Sequence, residues 1–276
     1  MNIKIIVDSS ANLPQTMAPE VRSVPLKIIA GEREFVDDSQ LDVHEMMEFL
    51  SQYKGKSGTA CPSVAEWLDE FEGADWIFAL TITGKLSGCY QSACIAAQAY
   101  QEQNPEAKIL VLDTASTGPE ILLLAEKLRE LTAQELSFEE VSQRIRDYHS
   151  QLHLLFCLES MNNLGRNGRV PMALAKAVGI LGLRIIGSAL EGDLHPTHKT
   201  RGEKKALAQL WESAQEMGYA GGKFRICHTE NLGAAQALAG MVREKYPESD
   251  VQILPNGGLC TFYSEQGGLI MAFECE

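Results

Sequence analysis

Apolar runs of strand length alternate with polar turns and amphipathic segments through the first half of the chain. Runs at 3–7, 76–83 and 109–112 are rich in β-branched and aromatic residues, as buried strands are. They lead into Asp8-Ser9-Ser10, Leu86-Ser87-Gly88 and Asp113-Thr114-Ala115-Ser116. The 3.6-residue pattern predicts helices at 43–53, 64–71, 93–103 and 121–131. This rhythm of strand, polar turn and helix predicts a Rossmann-like α/β domain over 1–155, its parallel sheet covered on both faces. In open sheets of this kind ligands bind beyond the carboxyl ends of the strands, where the polar turns gather.

The pattern changes after a predicted helix at 138–150. A short strand at 153–158 is followed by Met161-Asn162-Asn163-Leu164-Gly165-Arg166-Asn167-Gly168-Arg169-Val170 and an apolar segment over 173–186. Strands at 224–228, 251–255 and 269–274 then alternate with helices at 204–217 and 234–245. This predicts an α+β domain over 156–276 with a smaller mixed sheet. No Pro/Gly/Ser linker separates the halves, so they are expected to pack closely.

With 276 residues, 45% hydrophobic and 22% charged, the chain has the composition of a soluble globular protein. A formal charge of -13 leaves no broad basic face for nucleic acid or for stable anchoring on an anionic membrane. No apolar run reaches the roughly 18 residues of a membrane span, and the N-terminus lacks a signal-peptide layout, so a cytoplasmic location is expected. The seven cysteines show no paired spacing and read as free thiols in a reducing compartment, with no metal site and no cofactor implied.

Ser87 is the foremost candidate for chemistry. A serine between a strand and a helix either caps the helix or, beside unpaired backbone N–H groups, holds an anion. The surrounding Gly84-Lys85-Leu86-Ser87-Gly88 does not match the Gly-x-Ser-x-Gly elbow of a serine hydrolase. A hydrolase using Ser87 with His195, His198 or His228 as base stays open as an alternative, as does a sensor that binds a phosphate compound at the same turn. The glycine-arginine turn at 165–169 has neither the phosphate-loop nor the dinucleotide order. Asp8, Asp37, Asp38 and Asp113 read as solvated turn residues rather than as a metal cluster.

The order of motifs carries more than any one of them. Val7-Asp8-Ser9-Ser10-Ala11-Asn12-Leu13-Pro14, Val24-Pro25-Leu26 with Val36-Asp37-Asp38, Thr59-Ala60-Cys61-Pro62-Ser63, Leu86-Ser87-Gly88-Cys89-Tyr90-Gln91-Ser92-Ala93, Asp113-Thr114, Gly165-Arg166-Asn167-Gly168-Arg169-Val170 and Lys199-Thr200-Arg201-Gly202-Glu203-Lys204-Lys205 together resemble the DegV family of bacterial fatty-acid-binding proteins. The resemblance spans essentially the whole chain. It implies two domains with a long-chain fatty acid between them, its carboxylate held by Thr59, Ser87 and Gly88. Ser9, Cys61, Arg169, Arg184 and Tyr263 are the further pocket residues. It also implies a separate fatty-acid kinase as partner and no catalysis by the binder itself.

The chain departs from the family pattern at four places. Thr-Ser is Thr59-Ala60, the threonine after Ser-Gly is Cys89, Ile-Lys-Pro-Ile is Leu183-Arg184-Ile185-Ile186, and the His-x-Gly-Pro-Gly expected on a C-terminal strand is Tyr263-Ser264-Glu265-Gln266-Gly267. A phenol at 263 can donate a hydrogen bond but cannot serve as an imidazole near neutral pH. The apolar stretch 173–183 is read either as a wall for the acyl tail or as ordinary core.

Overall fold

The computed structural model describes residues 1–17, 19–178 and 182–275. In the first half, strands β1 (Ile3–Asp8), β2 (Val21–Val24), β3 (Lys27–Ala30) and β4 (Arg33–Val36) precede helix α1 (Val43–Gln52), β5 (Ser57–Ala60) and α2 (Val64–Phe71). Then come β6 (Trp76–Thr81), α3 (Cys89–Gln103), β7 (Lys108–Asp113), α4 (Pro119–Thr132) and α5 (Phe138–His149). Four strands form a parallel sheet in the order β2-β1-β6-β7. Its two apolar faces are covered as the sequence predicts. Trp67, Phe71, Ala93 and Ala96 of α2 and α3 pack on one face with Ile6, Ile77 and Ala79. Leu122, Ala125 and Leu128 of α4, with Val141 and Ile145 of α5, pack on the other with Val7, Phe78 and Leu80. A small antiparallel sheet, β4-β3-β5, was not legible in the pattern because its strands are only four residues each.

The second half contains β8 (Leu152–Leu158), α6 (Asn162–Arg166), α7 (Met172–Val178), β9 (Leu183–Leu190), β10 (Asp193–Arg201) and α8 (Glu203–Glu216). It ends with β11 (Lys223–His228), α9 (Leu232–Lys245), β12 (Asp250–Pro255), α10 (Gly258–Ser264) and β13 (Leu269–Glu274). Six strands form a mixed sheet, β10-β9-β8-β13-β11-β12. That sheet is larger than the parallel one, not smaller, because part of the segment taken as one apolar stretch supplies a long hairpin, β9–β10, at its edge. The expected division after residue 155 falls inside β8, all of which pairs within this sheet.

Two helices bring the sheets together. The buried α4 runs between them, touching β1 and β6 on one side and β8, β11 and β13 on the other. The short α10 leaves the second half and inserts beside α1, β3 and the turn after β1. Asp37 secures its start by accepting the amides of Gly258 (2.5 Å) and Leu259 (3.0 Å) while Ser9 Oγ donates to the same carboxylate (2.8 Å). Asp8 and Asp37, read from sequence as solvated turn residues, are therefore buried instead. Asp8 is enclosed by the Ser10 hydroxyl and the Ser10 and Ile82 amides at the strand ends, and Asp37 by the Ser9 hydroxyl and the first amides of α10.

Candidate functional site

A slot opens between the carboxyl ends of β6 and β7 and the facing strands β8, β9, β10 and β13. Its cavity volume is only about 90 Å³, so the void is narrow rather than a chamber. Leu154, Phe156 and Leu158 of β8, with Ile270 of β13, form one wall. Leu26, Ile82, Leu86 and Leu259 form much of the other. Ala189, Gly192 and Leu194 of the β9–β10 hairpin close over it. The hairpin tip is held down where Thr83 Oγ1 donates to the Gly192 carbonyl (2.8 Å) and Lys85 pairs with Asp193 (2.9 Å). Gly192 has a φ of +87°, and a Cβ there would stand 2.6 Å from Thr83 Oγ1, so only glycine allows this approach.

Polar groups collect at one region of this apolar lining. Thr59 sits on β5 and Tyr263 on α10, and their hydroxyl oxygens are 2.8 Å apart. The structure thus places Tyr263 on a helix, not on the C-terminal strand where it was expected. Burial pushes the Tyr263 phenol above its ordinary range, with the Thr59 bond and Arg169 acting in the opposite direction. It remains a neutral O–H donor at physiological pH. The Arg169 guanidinium lies 5.8 Å from the centre of the Tyr263 ring and donates through Nε to the Leu86 carbonyl (3.2 Å). Gly168, at a φ of +72°, reverses the chain after α6 so that Arg169 can reach the slot.

Ser87 faces the same region from the turn before α3. The helix starts at Cys89, a turn earlier than its alanine-rich pattern suggests, with Gly88 as its cap residue and no side-chain capping bond from it. Ser87 Oγ accepts the Cys89 amide (3.3 Å) and donates to Cys89 Sγ (3.2 Å). Part of the capping role is therefore real, and the hydroxyl still borders the slot.

Thr59, Ser87, Arg169 and Tyr263 come together from four separate segments; the other candidates do not line the slot. Gly88 stands beside Ser87 but over Cys61, whose sulfur would lie 3.0 Å from an added Cβ. Cys61 packs behind the site against the core of the first half. Ser9 is buried, donating to Asp37 and accepting the Leu26 amide (3.0 Å). Arg184 turns to Glu159 and Glu203. The described part of the stretch 173–183 does not border the slot. Ala175 and Val178 pack in the core behind Phe156, while residues 179–181 of that stretch lie outside the described residues. Ser116 and Thr117, after β7, do line it. Their turn resembles the Ser87 junction in sequence, but nothing in the local pattern shows which strand end faces the second sheet.

No histidine is among the residues lining the slot; His195 and His198 are exposed on β10. Among the described residues no group of three or more His, Cys, Asp or Glu is arranged to hold a metal ion, and no helix is long and apolar enough to cross a membrane.

Fold and site together define an α/β protein with a narrow apolar slot between its two larger sheets, with hydroxyls and one arginine on the slot's border. A family model described as an uncharacterised protein of the DegV family matches residues 2–274. The chain belongs to the DegV family. A DegV domain-containing protein of Streptococcus pneumoniae strain R6 is 42% identical over 281 residues, across 100% of both chains. The Fatty Acid Kinase (Fak) B3 protein of Streptococcus pneumoniae, solved loaded with linoleic acid, matches with a TM-score of 0.97 at 42% identity over 100% of each chain. A DegV family protein of Eubacterium eligens, solved loaded with heptadecanoic acid, matches with a TM-score of 0.96 at 39% identity, covering 99% of this chain and 100% of that one.

Proposed function

We propose that this protein is a cytoplasmic carrier that binds a long-chain fatty acid in the inter-sheet slot and presents its head group to a separate fatty-acid kinase. The observation that carries the reading is a narrow apolar slot bordered by Thr59, Ser87, Tyr263 and Arg169. The fatty acids held by the Streptococcus and Eubacterium relatives support it. The tail supplies most of the affinity: roughly fifteen methylenes at ~0.8 kcal/mol each amount to on the order of 10 kcal/mol before the costs of association. The hydroxyls orient the carboxylate, each charge-assisted hydrogen bond contributing about 1.5–3 kcal/mol.

The protein carries its ligand without transforming it. A hydrolase needs a base beside its nucleophile, and the side-chain partner of Ser87 is the buried Cys89 thiol, whose own ionisation burial opposes. The phosphate-sensor alternative fits the lining less well, since a phosphate compound leaves the apolar walls unused. Protein purified gently from a bacterial host, then denatured and extracted, is expected to release one equivalent of fatty acid by mass spectrometry. An extract without fatty acid counts against the proposal, and displacement by a phosphometabolite in a thermal-shift assay would favour the sensor.

A further inference from the structure

Beyond the head-group residues the slot is lined by further hydroxyls, and two of them are engaged within the protein. Thr83 Oγ1 donates to the Gly192 carbonyl (2.8 Å), and Ser264 Oγ pairs with Thr229 Oγ1 (2.7 Å). The adjacent Ser116 and Thr117, in the turn between β7 and α4, are different. Ser116 Oγ donates to Oε2 of Glu120 (2.7 Å), a buried side chain whose Oε1 stands 3.5 Å from His149 Nε2. A hydroxyl has one hydrogen, so the Ser116 oxygen keeps only lone pairs for a ligand. Among the described residues the Thr117 hydroxyl has a single partner, the Cys260 thiol at 3.8 Å, and sulfur is a weak donor and a weak acceptor. One turn thus brings to an apolar wall an acceptor and, next to it, a hydroxyl with free capacity.

These two hydroxyls belong to the head-group end of the slot. The Ser87 amide donates to the Thr83 carbonyl (3.2 Å) and the Thr83 amide to the Ser116 carbonyl (2.9 Å), so a single residue links the two turns. Cys260, the partner of Thr117, precedes Tyr263 on α10 by three residues, about 4.5 Å along a helix. A ligand whose carboxylate meets Ser87 and Tyr263 therefore lays its first few carbons across Ser116 and Thr117. Methylenes there leave both hydroxyls without a ligand partner, which costs free energy once water is displaced. An alcohol on the chain answers both, donating to Ser116 Oγ and accepting from Thr117 Oγ1. Resting on the fatty-acid reading above, we infer that the slot is built for a long-chain fatty acid that carries a hydroxyl a few carbons from its carboxylate, and that Ser116 and Thr117 select it.

Displacement of a fluorescent fatty acid by hexadecanoic, 3-hydroxyhexadecanoic and 3-methoxyhexadecanoic acid tests this in the wild type, Ser116→Ala and Thr117→Val. The methyl ether keeps the oxygen but cannot donate. Wild-type protein is expected to bind the hydroxy acid more tightly than hexadecanoic acid, and the reverse order overturns the inference. Ser116→Ala is expected to weaken the hydroxy acid at least about fivefold more than it weakens hexadecanoic acid or the ether. Thr117→Val is expected to lower the affinity for the hydroxy acid relative to hexadecanoic acid in the same direction, and this comparison decides alone if Ser116→Ala does not fold. A variant that merely loosens the slot weakens all three acids together, and that result overturns the inference. Failure of all three acids to bind the wild type overturns the proposed function and this inference with it, whereas binding with the same ratios in every variant overturns the inference alone.

Discussion

Thr59 and Tyr263 share one short contact, 204 positions apart in the chain, and with Ser87 and Arg169 they border the slot on its polar side. Each hydroxyl costs little to leave partly solvated and becomes valuable only when a charged acceptor arrives. The double variant Thr59→Ala, Ser87→Ala is accordingly expected to weaken fatty-acid binding by at least about tenfold while the denaturant midpoint stays close to that of the wild type. Unchanged affinity in a fluorescent fatty-acid displacement assay would remove both residues from the site. Part of the slot's polar border was legible from the family-like motifs, since Thr59, Ser87, Arg169 and Tyr263 were all marked and all line it. Their company was not: Arg184 and Ser9 carry the same functional groups, yet neighbours from other segments, Glu159 and Glu203 for one and Asp37 for the other, engage them first.

Among elements, the long helices and buried strands of both halves follow from hydrophobic periodicity, because an amphipathic face has only one way to be buried. The pieces the pattern missed are short or polar, namely β2 to β5, the β9–β10 hairpin and α10. Their stability comes from partners distant in sequence. The seven-residue α10 illustrates this, since its first amides are held by Asp37 from the opposite half. Asp37→Ala leaves two amides and the Ser9 hydroxyl without that acceptor. At about 1–3 kcal/mol for each unsatisfied group, a loss of at least roughly 3 kcal/mol in urea unfolding is expected. A loss below about 1 kcal/mol would show that water replaces the carboxylate.

Across the whole molecule, the slot exists only because the two sheets are held at a set distance by α4. The apolar face of α4 packs on the parallel sheet, and Glu126 on the same helix accepts both Nε (2.9 Å) and Nη2 (2.8 Å) of Arg225, a side chain only 1% exposed on β11. Asp250 adds a third bond at 2.6 Å. Removing Glu126 takes two hydrogen bonds from a buried guanidinium and leaves Asp250 as its one carboxylate partner, so Glu126→Ala is expected to cost about 3 kcal/mol in equilibrium unfolding. If the cost is small, Asp250 and solvent suffice for Arg225 and the clip is not what joins the halves. By itself the sequence determined the periodic elements and the α/β class, because these depend on the local order of apolar and polar side chains, while the hydroxyls that border the slot were marked through the resemblance to the DegV family. Only the tertiary structure decided that the β9–β10 hairpin closes the slot, that Tyr263 arrives on a helix to meet Thr59, and that Asp37 of one half holds the start of α10 from the other. The physical reason is that each of these is a contact between distant segments, set by how the sheets pack rather than by any local pattern.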